Sequence, residues 1–155
     1  MTKTNALRIL EAAEVPFSTH VYDPSDGRID GLSVAAKIGR KPEIVFKTLV
    51  TAGKTTGLNV FVIPAECELD LKKAAAAAGD KYIEMIKSKD LEPRTGYIHG
   101  GCSPVGMKKP FPTFIEETAQ LLDKMIVSAG RIGLQAELAP DDLARITGAA
   151  FRDLV

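Results

Sequence analysis

Two pairs of strand-like segments, each joined by a short turn, constrain the fold of this chain more than any other feature. Residues 46–51 and 57–63 are rich in aliphatic, β-branched and aromatic side chains and flank the turn-forming stretch 52–56. Residues 124–129 and 133–138 repeat this arrangement around Gly130-Arg131-Ile132. Such pairs are typical of β-hairpins, because a turn lets two neighbouring runs bond to each other. The sequence therefore predicts a largely antiparallel sheet.

Helical patterns and further strands surround these hairpins. Apolar residues recur at helical spacing in four segments, and two more segments read as strands. The helices are predicted at 4–14 with Thr4 as cap, from Ser33 to Ile38, at 69–78 and from Pro140 onward, and the strands at 17–22 and 113–115. Residues 83–86 and the stretch around Asp90 fit neither pattern. We predict an α/β (α+β) fold in one domain, residues 1–155: a mixed, mostly antiparallel, β-barrel-like sheet surrounded by helices.

The charge balance limits the partners of this protein. The chain carries 20 basic and 20 acidic side chains, so its formal net charge is zero. Proteins that hold nucleic acid tightly on their own are normally basic, so a polyanionic partner has to meet a local patch or be presented by another protein. Two cysteines are typical of a reducing compartment. Because the chain shows neither an apolar leader nor a bilayer-length apolar stretch, we expect a cytoplasmic protein without membrane contact.

The loop at residues 96–106 is the first candidate for chemistry. It holds four glycines and one proline and includes a strand-like pair, Tyr97-Ile98. Glycine lets the backbone approach a ligand closely, and successive N–H groups in such a turn can converge on an anion or a developing oxyanion. The alternative is a plain connector, since glycine clusters are mostly turns.

A cysteine in this loop raises the question of thiolate catalysis. Cys102 lies three residues after His99, but nothing nearby supplies the third group that would orient the base. A small buried cysteine is the commoner case. Two histidines and two cysteines at these separations match no zinc spacing, so we expect neither a metal nor an organic cofactor.

Basic side chains supply further candidates. Lys47 lies in a predicted strand beside apolar neighbours and can hold a phosphate or carboxylate as a point charge, although a solvated strand lysine is the simpler interpretation. Arg131, after Ser128 at a hairpin corner, could meet a phosphate or remain in solvent. Lys108 and Lys109 could contact phosphates at a pocket mouth or serve solubility alone.

Taken in order, these segments resemble one family, the YbaK/EbsC family of aminoacyl-tRNA deacylases. These proteins are free-standing relatives of the editing domain of bacterial prolyl-tRNA synthetase, and the branch that hydrolyses Cys-tRNA(Pro) is the most similar. Each block alone is a weak signal, but the ordered set is specific. The blocks are Phe46-Lys47-Thr48-Leu49, Gly96-Tyr97-Ile98 with Gly100-Gly101, Ser103-Pro104-Val105-Gly106, Lys108-Lys109, and Val127-Ser128-Ala129-Gly130-Arg131 with Gly133-Leu134 and Glu137-Leu138.

The resemblance implies roles for individual residues. Lys47 would bind the 3′ end of the tRNA, and the N–H groups of Gly100 and Gly101 would polarise the ester carbonyl. Ile29 stands where some relatives have phenylalanine, and Gln135 where an acidic residue is frequent. The implied substrate-binding set is Tyr22 at the pocket rim, Ile29, Thr48, Ser128, Gly130, Arg131 and Gln135, and the implied tRNA contacts are Lys108 and Lys109.

The resemblance also implies a reaction that needs no enzyme nucleophile. The thiol of the substrate cysteine attacks its own ester carbonyl, and a cyclic thiolactone and free tRNA are released; intramolecular attack gains much of its rate from the held conformer. Prolyl-tRNA synthetase is the implied partner and Cys-tRNA(Cys) a further implied substrate. The alternatives are a deacylase for Ala-tRNA(Pro) or another small aminoacyl-tRNA, and a non-catalytic module that binds tRNA or the synthetase.

Overall fold

The computed structural model describes residues 3–155, in which helices surround two β-sheets. The helices and strands follow one another with short connections. Their bounds are α1 Asn5–Ala12, β1 Phe17–Val21, α2 Gly31–Ile38, β2 Phe46–Gly53, β3 Gly57–Pro64, α3 Leu71–Ala78, β4 Ile83–Met85, α4 Ser88–Thr95, β5 Thr113–Glu116, β6 Met125–Arg131, β7 Leu134–Leu138, α5 Pro140–Thr147 and β8 Ala150–Arg152.

Both predicted hairpins are present, each in a different sheet. The smaller sheet has the order β1-β7-β6, and all its neighbours are antiparallel. The larger sheet has the order β4-β2-β3-β5-β8. Its β4–β2 and β2–β3 pairs are antiparallel, whereas β3–β5 and β5–β8 are parallel. The predicted fold class, mixed but mostly antiparallel, is confirmed.

The two sheets meet at the beginning of β2. There, Val45 and Ile126 form an isolated parallel bridge, and both side chains are buried together with Ala35 of α2. Within residues 3–155 the strands do not continue around into a closed barrel, so the barrel-like expectation reduces to this open junction. A junction of this kind leaves the sheets free to diverge on either side of the bridge.

Side-chain caps define where the helices begin. Thr4 accepts a hydrogen bond from Leu7 N and begins α1, as predicted. Asp30 accepts from Ser33 N, so α2 begins at Gly31 rather than at the predicted Ser33. Asp70 caps α3 in the same way, so this helix begins at Leu71, two residues later than the predicted start at residue 69. Carboxylate and hydroxyl caps satisfy N–H groups that have no partner within the helix.

Four segments were left open, mispredicted or missed by the sequence analysis. Residues 83–86 contribute the short strand β4, and the stretch around Asp90 forms α4. Tyr97 and Ile98 do not form a strand; Gly96 ends α4 with a φ of 88°, and Tyr97 is then buried with its hydroxyl donating to Val105 O. The strand β8 was missed because three residues carry too little pattern to predict.

The main apolar core joins the smaller sheet, together with Phe46, Val62 and Ile115 of the larger sheet, to the helices α1 and α5. Leu7 and Leu10 of α1 and Leu143 of α5 pack there against β6 and β7. A second cluster joins Phe61 and Ile63 of β3 to the alanine face of α3. No helix in the described part of the chain has both the length and the apolarity needed to cross a bilayer.

A buried carboxylate fastens the C-terminal segment to β5. Glu116 is 1% exposed; its Oε1 accepts from Leu154 N at 2.9 Å and its Oε2 from Thr118 N at 2.7 Å. Hydrogen bonds to a charged group stabilise a fold more than neutral ones, and their loss leaves buried donors without a partner.

Glu116→Ala is expected to lower the free energy of unfolding by about 3 kcal/mol in urea denaturation. The exposed neighbour supplies the control, Glu117→Ala, for which we expect a change below about 0.5 kcal/mol; equal effects would contradict the anchoring role.

Candidate active site

A cavity of about 250 Å³ lies between the two sheets, next to the junction. Val45, Lys47 and Leu49 of the β2 region line one side, and Ser128 and Gln135 of β6 and β7 line another. The N-terminus of α2, Leu91 of α4 and the loop 99–102 complete the walls. Side chains alternate along a strand, so Lys47 and Ser128, two residues beyond the bridge pair, face the same space.

Lys47 brings a cation into this apolar-walled cavity. Its side chain is half-buried, and in the described part of the chain no hydrogen bond or ion pair joins its ammonium to another residue. A partly desolvated ammonium without a counter-charge is unfavourable unless a ligand supplies the anion. The cavity is therefore suited to a ligand with a phosphate or carboxylate near Lys47.

Ser128 and Gln135 stand opposite each other across the β6–β7 pair. Ser128 Oγ accepts a hydrogen bond from Gly130 N at 3.2 Å, where β6 bulges and Gly130 takes a φ of 102°. Gln135 is 5% exposed, and its amide has no hydrogen-bond partner among residues 3–155. A buried amide that lines a cavity without a partner is positioned for a polar ligand.

Two buried hydroxyl groups also have no hydrogen-bond partner among the described residues. The first is Thr48 Oγ1, whose residue follows Lys47 in β2 and is among the residues that line the cavity. Tyr22 Oη is the second, but Tyr22 is 4% exposed and does not line the cavity. Its ring lies beneath the Lys37 ammonium, 5.6 Å from the ring centroid. The tyrosine expected at the rim is thus buried behind the wall.

The glycine loop packs tightly against Ile29 on one side and against the backbone of Arg131 and Ile132 on the other. Gly100 lines the cavity with a φ of 85°, and a β-carbon there would lie 2.5 Å from Ile29 Cδ1. At Gly101 a β-carbon would lie 3.0 Å from Ile132 N. The Gly101 N–H already donates to Ile98 O at 3.0 Å, whereas the Gly100 N–H has no partner in the described part of the chain. Of the two expected donors, only Gly100 thus keeps a free N–H group beside the cavity.

His99 and Cys102 both line the cavity, but their chemistry differs from that of an activated pair. Cys102 is 7% exposed, and burial raises the pKa of its thiol to about 12. Nucleophilic cysteines need a thiolate, which a nearby cation or base stabilises. The thiol of Cys102 therefore remains protonated at neutral pH and forms part of an apolar wall.

Besides Tyr22 and Gly101, four more expected site residues lie outside the cavity lining: Gly130, Arg131, Lys108 and Lys109. Lys108 is exposed and donates to Pro93 O at the end of α4, and Lys109 borders a different cavity next to α1 and α5. Gly130 packs against the ring of Tyr97. The cavity itself therefore gathers Ile29, Lys47, Thr48, Gly100, Ser128 and Gln135.

The wall residues that sequence reasoning missed include Asp30, Gly31 and Leu91. The capping pattern of Asp30 with Ser33 was a readable signal for the first two. Gly31 must be glycine, because a β-carbon there would overlap Ala65 Cβ at the end of β3. Leu91 carried no local signal, since only the docking of α4 brings it to the wall. Among residues 3–155, no three His, Cys, Asp or Glu side chains group as metal ligands.

Comparisons with known proteins agree with this architecture. The family model described as the aminoacyl-tRNA editing domain matches residues 32–146. A protein of Enterococcus faecalis, provisionally named Cys-tRNA(Pro)/Cys-tRNA(Cys) deacylase EbsC, is 49% identical over 152 residues, which cover 98% of this chain and 93% of the relative.

Solved structures extend the similarity to the fold. A provisionally named trans-editing enzyme for prolyl-tRNA synthetase superposes with a TM-score of 0.83 at 22% identity, covering 99% of this chain and 98% of its own. The hypothetical protein APE2540 superposes with a TM-score of 0.88 at 21% identity, covering 97% and 99%. At such identities the match shows the fold alone. Together with the family model and the bacterial relative, it confirms the resemblance read from the sequence: the chain belongs to the aminoacyl-tRNA editing domain family.

Proposed function

We propose that this protein, as one domain of residues 1–155, is a cytoplasmic trans-editing deacylase that cleaves the ester bond of Cys-tRNA(Pro). The observation that carries the proposal is the partly buried Lys47, whose ammonium has no ion-pair or hydrogen-bond partner among residues 3–155 and which lines a cavity in a member of this family. The 3′ end of an aminoacyl-tRNA offers the phosphate that such a cation lacks. The name of the 49% identical relative supports cysteine as the amino acid, and Cys-tRNA(Cys) as a further substrate.

The polar wall residues would orient the aminoacyl group. Lys47 takes the phosphate next to the terminal adenosine, so the ester enters between the two sheets. Gln135 and Ser128 then face the α-amino group and the carbonyl from β6 and β7. A neutral amide at Gln135 can both accept and donate, whereas a carboxylate could only accept.

The reaction would use the thiol of the substrate as nucleophile. Its sulfur forms a bond to the ester carbonyl carbon, the bond from that carbon to the ribose oxygen breaks, and the thiol proton passes to the ribose oxygen. The products are a thiolactone and free tRNA, and water then opens the thiolactone to cysteine. Attack within one molecule gains rate from orientation alone. The Gly100 N–H would stabilise the oxyanion, an interaction whose loss typically costs about 3 kcal/mol.

Prolyl-tRNA synthetase is the partner we propose for substrate delivery. Twenty basic and 20 acidic side chains give no overall attraction to tRNA, so an enzyme that meets tRNA alone would bind it weakly. A synthetase that releases mischarged tRNA beside the editing protein removes the need for strong autonomous binding. Lys108 and Lys109 remain our candidates for contacts with the tRNA outside the cavity.

Replacing Lys47 tests the anchoring of the substrate. Lys47→Met keeps the aliphatic stem but removes the charge, and we expect kcat/KM for Cys-tRNA(Pro) to fall at least about thirtyfold, as for the loss of a charged hydrogen bond. The matched control is Lys54→Met in the exposed turn of the same hairpin, which should stay within about twofold of wild type. Wild-type kinetics in Lys47→Met would refute the role of this ammonium.

Comparing three substrates tests the chemistry. Cys-tRNA(Pro), Ser-tRNA(Pro) and Ala-tRNA(Pro) differ at one side-chain group, and a hydrophobic pocket alone separates such groups by only about 1–3 kcal/mol. We expect cysteine to be released fastest, serine more slowly and alanine at the buffer rate, with thiolactone trapped only from cysteine. Equal release of alanine would instead identify an Ala-tRNA(Pro) deacylase. Release from none of them, with tRNA or synthetase still bound, would identify a binding module.

Experiments on Cys102 test whether the nucleophile is the thiol of the substrate or a thiol of the enzyme. Because its pKa is about 12, the thiol stays protonated below that pH, and activity between about pH 6 and 9 should show no step from its ionisation. Cys102→Ser should keep most of the activity, and iodoacetamide should label the partly exposed Cys67 but not Cys102 until urea is added. Loss of turnover in a folded Cys102→Ser variant would overturn the substrate-thiol step.

A further inference from the structure

The segment 23–30, between β1 and α2, forms one wall of the cavity. Ile29 and Asp30 line it directly, and the Ile29 side chain packs against the backbone of Gly100 on the opposite side. Residues 23–28 are exposed and contain no helix or strand. Short local hydrogen bonds, such as Ser25 N to Asp23 Oδ1, shape the turns but do not fasten them to the rest of the protein.

Lys37, in the last turn of α2, forms hydrogen bonds with the beginning, the middle and the end of this segment. Its ammonium donates to Asp23 O at 2.8 Å, to Asp26 Oδ1 at 2.7 Å and to Arg28 O at 3.0 Å. An ammonium has three N–H donors, so all of them are used. The same ammonium lies 5.6 Å from the ring centroid of Tyr22, within reach of a cation–π contact.

These contacts go beyond an ordinary surface ion pair. Two of the three acceptors are main-chain carbonyl oxygens, which fix the path of the backbone rather than one side chain. Among residues 3–155, Lys37 supplies the hydrogen bonds that tie residues 23–29 to the helix behind them. The hydrogen bond from Lys37 is also the main reason that the pKa of Asp26 lies below its usual range.

The helix that carries Lys37 is itself held at both ends. Gly31 packs on Ala65 at its beginning, and Arg40, just after its end, donates to Glu137 Oε1 at 3.1 Å. Glu137 belongs to β7, two residues from Gln135 in the cavity wall. Lys37 therefore connects an exposed turn segment to a helix that is held at both ends beside the cavity.

We propose that Lys37 is a positioning residue that holds the segment 23–30 in place, so that Ile29 closes the cavity against Gly100 and the wall contacts the aminoacyl group. The proposal rests on the proposed deacylase function for its kinetic consequence but not for its structural one. A wall contact that is equal in the ground state and the transition state lowers KM and leaves kcat nearly unchanged. Lys37 would thus act on substrate binding without touching the reacting atoms.

The structural consequence is tested by proteolysis, which needs no substrate. Trypsin cuts after Arg28, inside the segment, and cleavage follows the population of the opened form. We compare Lys37→Met, which keeps the aliphatic stem, with Lys37→Arg and with Lys54→Met. Lys54 is a matched control, because it lies 6.0 Å from the ring centroid of Tyr82, away from the cavity.

In Lys37→Met we expect cleavage at Arg28, followed by mass spectrometry, to accelerate about tenfold, the effect of losing a charged hydrogen bond. Lys37→Arg should restore most of the protection, and Lys54→Met should behave as wild type. Unchanged cleavage in Lys37→Met would overturn the proposal, whatever the enzyme does.

The kinetic consequence is tested with Cys-tRNA(Pro). KM should rise about tenfold in Lys37→Met with a change in kcat below about threefold, and Lys37→Arg should recover it. An unchanged KM beside faster proteolysis would overturn the link between this segment and substrate binding. If the wild type releases no cysteine at all, the proposed function fails, while the proteolysis result still decides the role of Lys37.

Discussion

The parallel bridge between Val45 and Ile126 is the contact on which the cavity depends. Both side chains are buried with Ala35, and the next residues on each strand, Phe46 and Val127, turn into the main core. The residues after those, Lys47 and Ser128, consequently face the space where the sheets separate. Because side chains alternate, a slip of one residue in either strand would send them to the opposite face. One backbone contact thus sets which two side chains face the ligand space.

Several of the residues that line the cavity have polar side chains without a hydrogen-bond or ion-pair partner in the described part of the chain. Lys47 has no counter-charge, Gln135 no amide partner and Thr48 no hydroxyl partner among the described residues. Such groups cost stability, and buried polar groups elsewhere are usually satisfied, as the two hydrogen bonds of Glu116 illustrate; Tyr22 Oη is the exception among the described residues outside the cavity lining. Unmet groups grouped in one place are expected where a ligand completes the network. This contrast separates the site from the structural polar groups elsewhere.

Two lysines show what the local sequence predicts about a side chain and what it does not. Lys47 and Lys37 are ten positions apart, and both adjoin apolar residues. One ammonium has no partner among residues 3–155, while the other donates to three acceptors and lies over an aromatic ring. The partners of Lys37 come from the loop 23–30. Lys47 instead faces the space between the two sheets, where no described residue offers its ammonium a partner. Neighbouring residues made Lys47 a candidate for anion binding, but they gave no signal for the contacts of Lys37.

The sequence by itself determined the local elements: the two hairpins, the capped beginning of α1, the beginning of α5 at Pro140, and the family, carried by an ordered set of short blocks. These features follow from neighbouring residues, because turn chemistry and side-chain periodicity act over a few positions. Tertiary structure decided the rest. It paired β8 with β5 and brought Leu91 and Ile29 to the cavity. Each depends on contacts between segments far apart in the chain, whose approach is set by the packing of the whole core.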